Sequence, residues 1–138
     1  MGDEGPRPRM AGHVLLVEDS EDLRALMVVL LQAEGYEVDA AASASEALAR
    51  LDRRQYDLVL TDYALPGRSG AWLLREAHAR RLLPGSAVII TAHPSPADTD
   101  GFEVIRKPLD FDWFLGHIRL LMEGGERGSG SGRAGERA

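Results

Sequence analysis

The sequence predicts an α/β domain, a doubly wound parallel sheet of five strands covered by helices on both faces. Three observations carry that prediction. Short apolar runs alternate with helix-period segments from residue 13 to residue 122, which implies right-handed βαβ crossovers and parallel strands. The first run, HVLLV at 13–17, has the uninterrupted apolar pattern of a strand buried on both faces. The chain has 138 residues, 44% of them hydrophobic, which fits one compact domain of roughly 100–150 residues plus short tails.

The first strand is His13–Val17. From Ser20 to Glu34, residues Leu23, Leu26, Met27, Leu30 and Leu31 keep the i, i+3, i+4, i+7 spacing of an amphipathic helix, and Gly35 stops it. Tyr36–Ala41 is a weaker, alternating second strand. Ser43 and Glu46 stand at capping-box spacing ahead of Ala47, Leu48 and Leu51, so a second helix runs to about Arg54. Asp57–Thr61 is the third strand, Ser69–Arg81 the third helix and Ala87–Thr91 the fourth strand. Phe102–Arg106 is the fifth strand, and Asp110–Glu123 a fifth helix with Asp110 as its cap. One link is abnormal. Only nine residues, His93–Gly101, join the fourth strand to the fifth, and Pro94 and Pro96 lie among them. A crossover takes roughly a dozen residues or more, so the fourth helix of the pattern is predicted to be short or missing. Residues 1–12 and 123–138 offer too little apolar surface to offset their ordering entropy. They are expected to be a disordered N-terminal tail and a disordered Gly/Ser-rich tail or linker, with the domain at 13–122.

Composition removes several function classes. There is no cysteine, hence no disulfide, thiolate metal site or cysteine nucleophile. The longest apolar run, Ala25–Leu31, has seven residues against the roughly 20 of a membrane span, and no signal-peptide pattern opens the chain. A soluble, cytoplasmic protein with no membrane partner is expected. Residues 13–122 hold 17 acids and 11 bases and carry the whole net charge of −6. With no basic stripe, direct nucleic-acid binding is not expected. Of 16 basic residues 15 are Arg and one, Lys107, is Lys, so this position either needs an ammonium or stands apart by chance.

In open α/β sheets ligands gather at the carboxyl ends of the strands. Glu18 and Asp19 follow the first strand, Asp62 the third, Thr91 closes the fourth and Lys107 follows the fifth. Crowded carboxylates repel unless a hard cation sits among them, and Mg²⁺ takes such oxygen ligands. A lysine and a hydroxyl beside that cation supply what a phosphoryl group needs. Each residue also has a plainer reading. Acids before a helix suit its dipole, Asp heads many Pro/Gly turns, Thr is an ordinary strand residue, and Lys107 before Pro108 suits a solvated loop. The conjunction at four strand ends favours the functional reading.

The segments VLLVEDS (14–20), TDYALPGRSG (61–70), VIITA (88–92) and RKP (106–108) resemble the receiver domain of two-component response regulators, in order and across about residues 13–122. The resemblance implies a flavodoxin-like fold with strand order 2-1-3-4-5. It implies that Asp62 accepts a phosphoryl group from a phosphohistidine on a sensor histidine kinase or phosphotransfer protein. Asp19, Asp62 and the backbone carbonyl of Ala64 would ligate Mg²⁺, with Glu18 acting mostly through water. Lys107 would pair with the Asp62 carboxylate or its phosphoryl group, Thr91 would move to bond a phosphoryl oxygen, and Pro66 and Gly70 would shape the loop after the acceptor. Such a protein is not an enzyme in the ordinary sense, but a phosphoacceptor that assists its own phosphorylation and dephosphorylation in a phosphorelay.

Two departures from the family pattern bear on output. The aromatic expected three positions before the lysine is Val104, with Phe102 the nearest ring on the same strand face. The second departure is the short link that replaces the fourth helix, which makes His93–Gly101 the segment expected to respond to phosphorylation. His13, His78, His93 and His117 show no ligand spacing, although His93 would overhang the site and tune phosphoryl lifetime. Trp72 falls on the outward side of the third helix. On the fifth helix Trp113, His117 and Leu120 make a second apolar stripe beside Phe114, Ile118 and Leu121, which suits a partner, a homodimer, or plain core packing.

Other functions fit less well. An aspartate-nucleophile phosphatase of the haloacid-dehalogenase type wants a second Asp two residues after the first, where this chain has Ala64. A flavin-binding module wants a Ser/Thr/Gly-rich phosphate loop after the first strand, where VEDSED is acidic. A receiver-like module acting only through protein interaction is hard to square with a pocket whose acidic positions are all filled. No effector domain is seen after residue 122, so the chain reads as a stand-alone regulator or as the receiver part of a longer protein.

Overall fold

A computed structural model describes residues 12–99 and 101–127. Nine elements follow one another: β1 (His13–Val17), α1 (Glu21–Ala33), β2 (Glu37–Ala41), α2 (Ala44–Arg53), β3 (Leu58–Asp62), α3 (Gly70–Ala79), β4 (Ser86–Thr91), β5 (Glu103–Arg106) and α4 (Phe111–Arg127). All strand pairs are parallel, and the sheet order is β2-β1-β3-β4-β5, as the resemblance implies. Between β4 and β5 the described residues form no helix, so the predicted gap is real.

Side chains alternate across the sheet and divide the core in two. Leu15, Val17, Val59 and Ile89 point toward Ala47, Leu48 and Leu51 of α2 and Leu73, Leu74 and Ala77 of α3. Val14, Leu16, Leu58, Leu60, Val88, Ile90 and Ile105 point toward Met27 and Leu31 of α1 and Phe114 and Ile118 of α4. The missing fourth helix is felt on the first of these faces, where Phe102 and Val104 are only partly covered.

The described helix starts are capped, at Ser43 and Asp110 as the sequence indicates and at Ser20 and Ser69 in addition. Ser20, Ser43 and Ser69 accept backbone N–H bonds from Leu23 (3.3 Å), Glu46 (3.2 Å) and Trp72 (3.0 Å), and Asp110 accepts from Trp113 N (3.2 Å). Glu46 reaches back one residue further than a capping box requires, to the Ala42 amide at 2.9 Å.

Several expectations need correction. The last helix runs through Arg127, past residue 123, where composition sets the start of a tail. Low apolar content denies that segment a core, but helix propagation adds one bond per residue, and Gly124 and Gly125 cost only about 1 kcal/mol each against Ala. The segments 1–11 and 128–138, the remainder of the expected tails, lie outside the described residues, as does Asp100 of the β4–β5 link. β3 is offset by one residue from the expected span. Asp57 leaves the strand and accepts from His13 N at 2.8 Å, while Asp62 is the strand's last residue. Trp72 is not an outward residue. It is half-buried against the first core, and the Arg68 guanidinium lies 4.8 Å from its ring centroid.

Candidate functional site

Parallel register brings the chemistry together. Val17 pairs with Thr61, Asp62 with Ile90, and Thr91 with Arg106, so the residues at the carboxyl ends of β1, β3, β4 and β5 share one rim of the sheet. Glu18 is held there by its own backbone. Its N–H donates to Ala41 O at 3.0 Å, and its carbonyl accepts from the Arg24 guanidinium at 2.9 Å. The side chain turns inward, 4% exposed, with one oxygen accepting from Ser20 N at 3.1 Å. Asp19 remains exposed. Asp62 is 7% exposed although ionisable. One carboxylate oxygen from each of Glu18, Asp19 and Asp62 lies within 4.8 Å of the others.

Lys107 enters from the far side of the sheet. Its Nζ donates to Asp62 Oδ2 at 3.3 Å and lies 3.6 Å from Glu18 Oε1. Its backbone is tied to β4 by Lys107 N donating to Thr91 O at 2.9 Å, and the peptide bond to Pro108 is cis. Ionised, three carboxylates and one ammonium leave the cluster with an uncompensated negative charge. The Glu18 carboxyl is pushed above its ordinary value. Burial is the main cause, and repulsion from Asp62 and Asp19 adds to it. The Ser20 amide and the Lys107 ammonium pull the other way.

Thr91 is buried, and its Oγ1 accepts from His93 N at 2.8 Å. Ala64 sits exposed on the loop two residues beyond Asp62. Gly70 is not a loop residue but the first residue of α3. Its N–H donates to Tyr63 O at 2.8 Å, and a Cβ there would run into the carbonyl oxygen of Asp62 and stand 2.9 Å from Thr61 Oγ1. Glycine at 70 is what lets α3 abut the acceptor strand. His93 is exposed two residues beyond Thr91. The ring packs edge-on to Tyr63, centroids 5.5 Å apart, and Nδ1 accepts from Ser95 N at 3.0 Å.

Two other histidines are also bonded, whereas His78 is exposed on α3. His13 meets Glu37 and Arg54, and His117 meets Glu103 at 2.6 Å while stacking on Trp113. Tyr63 and Arg106, which carry no role in the sequence reading, flank Asp62 and Lys107 and are bonded to the β4–β5 link. Their only signal was position next to a site residue.

The family model for the response regulator receiver domain matches residues 14–118. The chain belongs to this family. Among related receivers, the sensory transduction protein RegX3 of Mycobacterium tuberculosis is 35% identical over 118 residues, covering 81% of this chain and 51% of RegX3. The chain thus spans about half the length of that relative. Among solved structures, a CheY-like receiver domain protein from Methanospirillum hungatei superposes with a TM-score of 0.76 at 29% identity, over 85% of this chain and 98% of that one. The response regulator TrrA of Thermotoga maritima, solved with Mg²⁺ and BeF, gives 0.71 at 30% identity, over 79% and 97% of the two chains. Among the described residues, no helix is long and apolar enough to cross a membrane.

The donor set of the acidic cluster suits a hard divalent cation. Three carboxylate oxygens converge, two of the side chains are largely removed from water, and the single ammonium beside them does not balance their charge.

Proposed function

We propose that this receiver accepts a phosphoryl group on the Asp62 carboxylate from a phosphohistidine of a sensor histidine kinase or phosphotransfer protein in the cytoplasm. The carboxylate oxygen forms the new bond to phosphorus, the bond from phosphorus to imidazole nitrogen breaks, and a later attack by water returns free phosphate and the carboxylate. The observation that carries this reading is the meeting of Glu18, Asp19, Asp62 and Lys107 at one rim, with Lys107 Nζ 3.3 Å from the acceptor.

The roles follow from position and charge. Asp62 is recessed, which limits access by bulk water. Lys107 offsets the charge of the acceptor and then of the phosphoryl oxygens. Thr91, at the neighbouring strand end, supplies a hydroxyl. Glu18, Asp19, Asp62 and the backbone carbonyl of Ala64 would hold Mg²⁺. That ion would neutralise charge gathering on the phosphoryl oxygens. The chain assists its own phosphorylation and dephosphorylation by these means and needs no separate catalytic domain for either. For the partner, α1 begins two residues after Asp19 and leaves Leu26 and Val29 exposed, at 44% and 62%. On α4 the exposed Trp113 and Leu120 favour a second reading in addition, self-association through that helix.

Acetyl phosphate or beryllofluoride tests the acceptor. Intact mass and amide NMR shifts should report one Mg²⁺-dependent event, absent in Asp62→Asn. Equal modification of that variant would overturn the assignment. A wild-type chain that never responds would leave a pure interaction module as the better description.

A further inference from the structure

The link between β4 and β5 has the composition of a loose loop, and its residues 92–95 are all exposed. It is nonetheless tied down at several points. Thr91 Oγ1 accepts from His93 N at 2.8 Å and Tyr63 Oη from Ala97 N at 2.9 Å. The Arg106 guanidinium donates to His93 O at 2.6 Å and to Pro94 O at 3.1 Å. The His93 ring rests on Tyr63, and Arg75 of α3 lies 3.8 Å from Asp98.

The origin of these ties is the informative part. Thr91 is the last residue of β4 at the site rim. Tyr63 directly follows Asp62, and Arg106 directly precedes Lys107. The three principal anchors of the link are therefore a site residue and the immediate chain neighbours of two others. Bonds of this kind have discrete made and broken states. A β-branched threonine occupies separate χ1 wells rather than a continuum, and turning its hydroxyl elsewhere withdraws the acceptor from His93 N.

We propose that Tyr63 and Arg106 form, with Thr91, a latch that holds residues 92–99 closed in the resting protein, and that loading Asp62 opens it. The inference rests on the phosphoacceptor reading and adds the path by which the site is read. In this chain the aromatic that answers the acceptor stands on the acceptor's own strand end, at Tyr63. Residue 104 is valine and has no ring to rotate. Opening frees the amides of His93 and Ala97 and uncovers the Tyr63 ring on the face where Phe102 and Val104 are only partly covered. The bistable element that a switch requires is the link itself.

Amide hydrogen exchange by NMR on the full chain tests this with wild type, Tyr63→Phe and Arg106→Gln, each with and without Mg²⁺ and beryllofluoride. Tyr63→Phe keeps the ring and deletes only the hydroxyl. In the resting state it should speed exchange at Ala97 about tenfold, the scale of one lost hydrogen bond, and Arg106→Gln should speed Ser95 and Ala97. Beryllofluoride should raise wild-type exchange at Ala97 to the level of resting Tyr63→Phe, and add little in that variant. Unchanged exchange in resting Tyr63→Phe would overturn the latch. So would a loaded wild type whose Asp62 neighbourhood shifts while His93, Ser95 and Ala97 stay protected. Absence of any Mg²⁺-dependent beryllofluoride shift would instead overturn the phosphoacceptor reading, and the opening step with it.

Discussion

Replacing Gly70 with alanine tests whether the acceptor strand and α3 are built against each other as tightly as the structure shows. The new Cβ would collide with the Asp62 carbonyl oxygen and stand 3.0 Å from the Asp62 carbonyl carbon and 2.9 Å from Thr61 Oγ1. Carbon–carbon contacts are at rest near about 3.5–4.0 Å, and backbone cannot rotate away as a flexible side chain would, so the start of α3 has to retreat. That retreat stretches the 2.8 Å bond from Gly70 N to Tyr63 O, and a buried amide left without its acceptor costs about 1–3 kcal/mol. Ala71, Leu73 and Leu74, all at 0% exposure, must shift with the helix, and overpacking of this kind costs about 1–3 kcal/mol. A loss of about 2–6 kcal/mol follows, which at roughly 4 °C per kcal/mol lowers the Tm by about 8–24 °C. Thermal melts followed by circular dichroism measure it. A beryllofluoride titration in Mg²⁺ at a temperature where the variant is still folded should show weakened loading, because the displaced carbonyl belongs to Asp62. A variant with wild-type Tm and wild-type loading would refute the packing argument.

Lys107→Gln removes the ammonium that lies 3.3 Å from Asp62 and 3.6 Å from Glu18. In cation-free buffer at neutral pH the urea midpoint should fall by the equivalent of about 2 kcal/mol or more, and millimolar Mg²⁺ should restore much of it. An unchanged midpoint would show that those pairs contribute nothing. At the other end of the sheet, Tyr56 Oη donates to Asp39 Oδ2 at 2.6 Å, and burial first, then this bond, push the phenol up to about 12. The folded state holds that proton more tightly than the unfolded chain does, so the stabilisation is complete below pH 10 and is lost as pH rises from 10 toward 12. Tyr56→Phe should remove this alkaline loss and reduce the acid loss below pH 3.8, since the same bond is the main hold on the Asp39 carboxyl below its ordinary value, with Arg54 and Arg50 adding to it. Melts across both ranges check it, and identical pH profiles for the two proteins would count against the bond. Phe114→Ala empties the fully buried ring position of α4 and should cost about 3–5 kcal/mol, read by denaturant unfolding.

Much of this was legible because polar residues interrupt apolar runs. Glu18, Asp19, Asp62 and Lys107 stand where a buried strand ends, and side-chain type plus strand end suffices to place them on one rim. Ser43 and Asp110 were legible as caps because a cap acts within three residues of itself, whereas Ser20 and Ser69 were read only as the places where helical segments begin. What stayed hidden depends on contacts distant in sequence. The Tyr63 hydroxyl bond spans 34 residues, and the path of the link that meets it is set by Thr91 and Arg106 rather than by any local pattern. Trp72 was misplaced because helix period gives a direction relative to the helix axis, whereas its burial depends on how far the neighbouring layer extends. The continuation of α4 past residue 123 was missed for a related reason, since composition reports the capacity for burial and not the persistence of a helix already anchored at Phe114 and Ile118.

The ammonium between Asp62 and Glu18 has a practical consequence. It is the chain's one lysine. Protein grown on ¹⁵N-labelled lysine therefore carries a single side-chain nitrogen label, and that atom lies 3.3 Å from the acceptor oxygen. No assignment experiment is needed to know which residue is observed. Its resonance should report every change of charge on the Asp62 carboxylate, and an amine-directed reagent would find one side-chain target whose reactivity tracks the occupancy of the pocket. A sequence that spends arginine everywhere else has left its most informative atom uniquely addressable.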